Sequence, residues 1–228
     1  MKTISWTSFL LVISLNLPLA QAAVWTHSQE WSPQAEASYS HWVKTKFSAD
    51  IFWKTGAYPD ISTDCADSVY AMRMIFAYEN SLPFAMKQSD AVDGLLTNEA
   101  KKFDGVRDPR ERFIAFLKYV MGRASTNSLA DDTYPIEITR ESLTPGTIYL
   151  ATGTHVYQVI DVTDGGTTLI QYSTVPRAVR VMSRVDMFPN YVPGDLKVKG
   201  RTNVDGFRRF KQPHMYKLAD SMLPHYSL

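Results

Sequence analysis

The 228-residue chain contains a single cysteine, Cys65, so no internal disulfide can staple it and its core must hold it together. The five histidines, at 27, 41, 155, 214 and 225, lie far apart and make no zinc pattern with one cysteine. Also missing are the phosphate loop, the Gly-x-Gly-x-x-Gly turn, the Gly-x-Ser-x-Gly elbow and His-Glu-x-x-His. No metal or organic cofactor is implied. Charge of one sign is not in excess: 24 Lys and Arg against 23 Asp and Glu give a net +1. A nucleic-acid binder would need a basic field, so no nucleic-acid partner is expected. Repeats and low-complexity tracts are absent as well. With 45% hydrophobic and 21% charged residues, the composition is that of a folded globular protein.

Large apolar side chains are plentiful, with 5 Trp, 12 Tyr and 11 Phe to build a core. The one long apolar run lies at the N-terminus. Lys2 precedes Phe9-Leu10-Leu11-Val12-Ile13, the run continues to Leu19, Pro18 breaks it, and Ala20-Gln21-Ala22 has the small-x-small form of a cleavage site. Residues 1–22 therefore read as a cleaved signal peptide, too short for a comfortable membrane span and with no cysteine for a lipid anchor. The expected mature protein is a periplasmic or secreted monomer with no transmembrane segment, a single domain over 23–228. Its charge is uneven: residues 177–228 hold ten basic and four acidic side chains. Such an excess either faces an anionic polymer or membrane, or forms a solvated face that balances the acidic part.

Spacing of three and four predicts a helix over Gln34–Ala49, carrying Tyr39, Trp42, Val43 and Phe47. A second runs from Cys65 to Glu79, with Val69, Met72 and Phe76 on the cysteine's stripe, and stops at Leu82-Pro83. A helical turn is expected near Asn98–Phe103. Asp108-Pro109-Arg110-Glu111 then starts a further helix ending near Gly122, so that residues 84–130 read as a helical insertion. After about residue 145 the period becomes 2, predicting strands at 147–151, 154–162, 167–173 and 178–182, with a hairpin turn at Thr163–Gly166. The tail beyond Phe188, rich in Pro and Gly, reads as a loop-rich C-terminal extension. Helices first and an antiparallel meander after them make an α+β pattern.

Cys65 sits in Thr63-Asp64-Cys65-Ala66-Asp67, on the first turn of a predicted helix. Free N–H groups and the helix dipole favour a thiolate there and can stabilise an oxyanion, whereas the flanking acids oppose ionisation. His155, near the start of a half-buried strand, is the candidate base. Alternation puts His155, Tyr157, Val159 and Asp161 on one face, and Val156, Gln158, Ile160 and Val162 on the other.

Asp64-Cys65 opening a helix, Leu82-Pro83 closing it, Pro145-Gly146 before a strand, then His155-Val156 and a hairpin, resemble the NlpC-type papain-like cysteine peptidases. The resemblance spans about Tyr58–Tyr172. It departs at Ala66-Asp67, where the family has Ser-Gly, and at Thr147, where it has Asp. It implies a papain-like fold, with Cys65 as nucleophile, His155 as general base and acid, and Gln171 as the polar residue orienting the imidazole. Tyr58 would border the substrate groove, and Asp64, beside the nucleophile, would bind substrate with it. A three-residue loop at 164–166 pairs 163 with 167 and puts Gln171 and Ser173 on the His155 face. A two-residue turn would put Tyr172 or Thr174 there.

The expected function is that of an exported cysteine hydrolase cleaving amide bonds in peptidoglycan or another cell-envelope peptide. Two rivals stand beside it. A transglutaminase-like acyl transferase would use Asp161 as an acidic third residue, and a non-catalytic envelope-binding protein would keep the fold without the chemistry.

Overall fold

The computed structural model describes residues 23–88, 94–136, 142–163, 168–187 and 206–223. The expected signal peptide at 1–22 and the hairpin-turn residues 164–166 lie outside them. The architecture is α+β, with four helices packed against a six-stranded antiparallel sheet.

Helix α1 (Pro33–Thr45) begins where the Ser32 side chain caps the Ala35 N–H and Pro33 takes the first helical position. It stops four residues short of the expected Ala49. Helix α2 (Cys65–Glu79) is buried from Cys65 through Ala77. It is apolar around most of its circumference, as a central helix must be. Arg73 is the exception. It stacks 3.2 Å from the Trp31 ring centroid and donates to both Glu36 oxygens, so its charge is buried with a partner. Helix α3 (Pro109–Met121), capped by Asp108, packs on α2 through Phe113, Phe116, Leu117 and Val120. A fourth helix, α4 (Thr126–Asp132), starts at a Ser125–Ser128 capping box that the hydrophobic periodicity does not mark.

Short strands β1 (Ala85–Lys87) and β2 (Leu95–Thr97) pair with each other, so the segment 84–130, expected to be helical, also carries strands. The main sheet has β3 (Thr133–Pro135), β4 (Ile148–Ala151), β5 (His155–Val162), β6 (Thr168–Tyr172), β7 (Ser183–Met187) and β8 (Gly206–Phe210), ordered β3-β8-β4-β5-β6-β7. Two expectations are corrected here. The strand placed at 178–182 lies instead at Ser183–Met187, and Ala178 makes only an isolated bridge to Thr63. The loop-rich tail supplies β8, inserted between β3 and β4. Its alternation is masked because Arg208 is a core-side residue, buried by donating to the Thr133 hydroxyl and carbonyl. The C-terminal basic excess is partly spent in this way, since Arg177, Arg184, Arg208 and Arg209 all donate to internal acceptors.

One face of the sheet, through Ile148, Leu150, Val156 and Ile160, meets the helices in a large aromatic core. The other face, with Tyr149, Val159, Ile170 and Phe207, is partly covered by Met215 and Leu223. Gly146, in the Pro145-Gly146 turn before β4, has φ +93°, and an added Cβ would lie 2.9 Å from the Tyr39 ring. The turn needs glycine for conformation and for close approach. No helix among the described residues is long and apolar enough to cross a membrane.

Candidate active site

Asp64 is the N-cap of α2, and its side chain accepts from the Asp67 N–H while Asp67 accepts from the Asp64 N–H. This reciprocal box fixes the first turn and places Cys65 at its opening. Thr63, just before, is tied to the segment after β6. Its backbone exchanges hydrogen bonds with Ala178, and its hydroxyl and carbonyl bond the Ser173 hydroxyl.

The Cys65 thiol is buried, 6% exposed, and faces the backbone N–H groups of Val156, Ala66 and Cys65 itself. The sulfur therefore meets β5 at the residue after His155. Burial pushes the thiol up from its ordinary value, the Asp64 charge pushes it further, and those N–H groups pull it back. Burial pushes the His155 imidazole down, with Asp64 opposing. The resting pair is thus biased toward neutral thiol and neutral imidazole. Among the described residues no hydrogen bond joins the sulfur to the His155 ring. That ring packs edge-on against Tyr157 at 4.4 Å and Tyr172 at 5.3 Å, centroid to centroid.

Cys65 lies beside β5 at the Val156 N–H and the Asp64 charge reaches His155, but the imidazole itself is on the Tyr157 and Tyr172 face of the sheet, away from α2; Gln171, Asp161 and Tyr58 do not join them. Gln171 pairs in register with Gln158 on the helix-side face. Its carbonyl accepts from Arg184 Nε at 2.6 Å, and its amide reaches the Met182 sulfur. The cause is a bulge. Thr168 pairs with Val162 and Leu169 with Asp161, as a 163/167 closure implies, but Ile170 pairs with Val159, leaving Ile160 as an extra residue. Beyond it the parity is reversed, and Tyr172 takes the face where Gln171 was expected. The same bulge turns Asp161 to the helix side, where Lys44 of α1 binds it at 2.6 Å. Ser173 serves the turn before Cys65 rather than the imidazole. Tyr58 is a core residue, 2% exposed, donating to Glu79 at the far end of α2 and covered by the Arg110 guanidinium.

Sequence reasoning missed the Val156 N–H, which only the strand pairing reveals, and Arg177, which no motif marks. Among the described residues no group of three or more His, Cys, Asp or Glu side chains is arranged to hold a metal ion. Comparison with protein-family models, curated proteins and solved structures finds no match to this chain.

Proposed function

We propose that the protein is a papain-like cysteine hydrolase acting on an amide bond, with Cys65 as nucleophile and His155 as base and acid. One observation carries this reading: the sole thiol opens the buried helix α2 and lies against the strand residue following His155. The sulfur attacks the carbonyl carbon as its proton passes to the His155 imidazole. The C–N bond breaks as the imidazolium returns that proton to the leaving amine, and water, deprotonated by His155, then hydrolyses the thioester. Asp64 is the carboxylate whose field reaches the imidazole, and it favours the imidazolium formed along the way.

The substrate class proposed is a cell-envelope peptide, most directly a peptidoglycan stem peptide, on an exported protein. Hydrolysis is favoured over acyl transfer of the transglutaminase type because Asp161 is committed to Lys44 on the opposite face. The test is release of new amine from purified peptidoglycan by the wild-type protein, Cys65→Ala and His155→Ala. Release by the wild type alone supports the reading. No release by any of the three, with Cys65 inert to iodoacetamide near neutral pH, leaves the non-catalytic binding protein in its place.

A further inference from the structure

Cys65 lies midway between two tethers. Two residues before it, Thr63 is bonded to Ser173 and Ala178. Two residues after it, Asp67 is held by Arg177, with Nε 2.5 Å from one carboxylate oxygen and Nη2 2.9 Å from the other. The same Nη2 donates to the Met121 carbonyl at the end of α3, 2.7 Å away. Both tethers belong to one strap, residues 173–178. The Asp67 side chain is wholly buried while that of Arg177 is 40% exposed, so the strap delivers a cation from the surface onto an interior carboxyl that burial pushes up to about 7. Asp67 stands where the resembled family has glycine, and a glycine there would give the strap nothing to hold.

We propose that Arg177 is a positioning residue of the Cys65 site, clamping Asp67 to the end of α3 so that the sulfur stays seated against β5. This rests on reading Cys65 as the nucleophile. A fork of two N–H···O bonds fixes orientation as well as distance, which a single point charge would not. Were the pair only a means of satisfying a buried carboxylate, neutralising both partners would alter stability and leave the thiol's chemistry as it was.

The experiment uses the charge-neutral double variant Asp67→Asn/Arg177→Met, whose new side-chain amide keeps a carbonyl to accept the capping bond from the Asp64 N–H. Burial pushes the Asp67 carboxyl up to about 7, so above that pH both charges go together and the direct field on the sulfur changes little. Two quantities are read beside the melting temperature: the pH–rate profile of Cys65 alkylation by iodoacetamide, and kcat and KM for amine release from peptidoglycan peptides. A sulfur that drifts from its N–H donors should show an alkylation midpoint higher by about half a unit or more. Its kcat should fall about tenfold or further with KM within roughly threefold. An unchanged alkylation profile overturns the proposal, whatever the melting temperature does. Should the double variant not fold, Arg177→Lys, which keeps the charge and loses the fork, is measured the same way. If the wild type releases no amine, the hydrolase reading fails by itself, and the alkylation profile alone decides whether Arg177 seats the sulfur.

Discussion

The sulfur of Cys65 faces the backbone N–H of Val156, so helix α2 touches β5 one residue beyond His155. That N–H is free to do this because β6 ends at Tyr172, leaving the edge of β5 open where the Cys65 turn docks. The contact sets the first turn of α2 against the start of β5, and the 173–178 segment holds that turn from the other side through Thr63 and Asp67.

Replacing Cys65 by Ser is expected to abolish amine release and leave the fold nearly intact. An unactivated hydroxyl is a far poorer nucleophile than a thiolate, so the chemical step falls by orders of magnitude. The thiol is buried, so the new hydroxyl enters an interior site near the Val156 N–H. The cost should stay within about 1–3 kcal/mol, the range for a buried hydroxyl. Denaturant titration and amine release on the same preparations check both halves. A large loss of stability with release retained would make Cys65 a packing residue.

Asp64→Asn separates the cap from the charge. Asparagine keeps an acceptor for the Asp67 N–H, so α2 should start as before. The Asp64 charge raises both the Cys65 thiol and the His155 imidazole. Removing it should lower both, shifting the alkylation midpoint and the acid limb of hydrolysis to lower pH. Midpoints that do not move would confine Asp64 to capping.

What the residues disclosed and what they hid divides along physical lines. The caps at Asp64 and Asp108 are local, set by side chains three residues from the N–H groups they serve, and they mark α2 and α3 in the sequence. Cys65 and His155 each stand at the start of an element the sequence marks, α2 and β5. Gln171 was misplaced by one residue of bulge: Ile160 carries no glycine or proline to betray it, and a single added residue reverses every side chain beyond. Strand β8 was hidden by distance. It joins the sheet more than fifty residues after its neighbour β4, and its arginines point at internal acceptors rather than solvent. Pattern reading sees periodicity and caps; it does not see long-range pairing.

Arg73→Ala is expected to be among the most damaging single substitutions outside the site. Its guanidinium is sandwiched by Trp31 and Tyr39, at 3.2 and 4.7 Å to the ring centroids, and grips Glu36 with bonds of 2.7 and 2.9 Å. Burial works to raise the Glu36 carboxyl, yet Arg73 holds it below its ordinary value. Taking the arginine away leaves the Glu36 carboxylate, 27% exposed, with the Gln212 amide as its remaining hydrogen-bond donor, for a loss of about 1–3 kcal/mol or more. Urea denaturation measures it. The double variant Arg73→Met/Glu36→Gln should recover part of the loss, because no unpaired charge is left.

Asp132 is expected to make the fold less stable as pH rises from about 4 to about 6. Its carboxylate is buried and accepts from the Tyr70 and Tyr216 hydroxyls at 2.5 and 2.9 Å and from the Lys87 N–H at 2.7 Å. Burial pushes it from 3.8 up to about 6, with the three donors pulling it back. Between those values the folded chain binds more protons than the unfolded one, so stability falls with rising pH and levels off above the folded value. Asp132→Asn removes this dependence. The Tyr70 hydroxyl can then donate to Ser128, 3.1 Å away, and accept from the new amide, which keeps the loss from the lost charge-assisted bond to about 1 kcal/mol. The melting temperature of the wild type minus that of the variant should therefore decline from pH 4 to pH 6 and then stay flat. A difference that does not change with pH across that range would mean that Asp132 is as ionised in the folded chain as in the unfolded one, and that its three donors fully offset its burial.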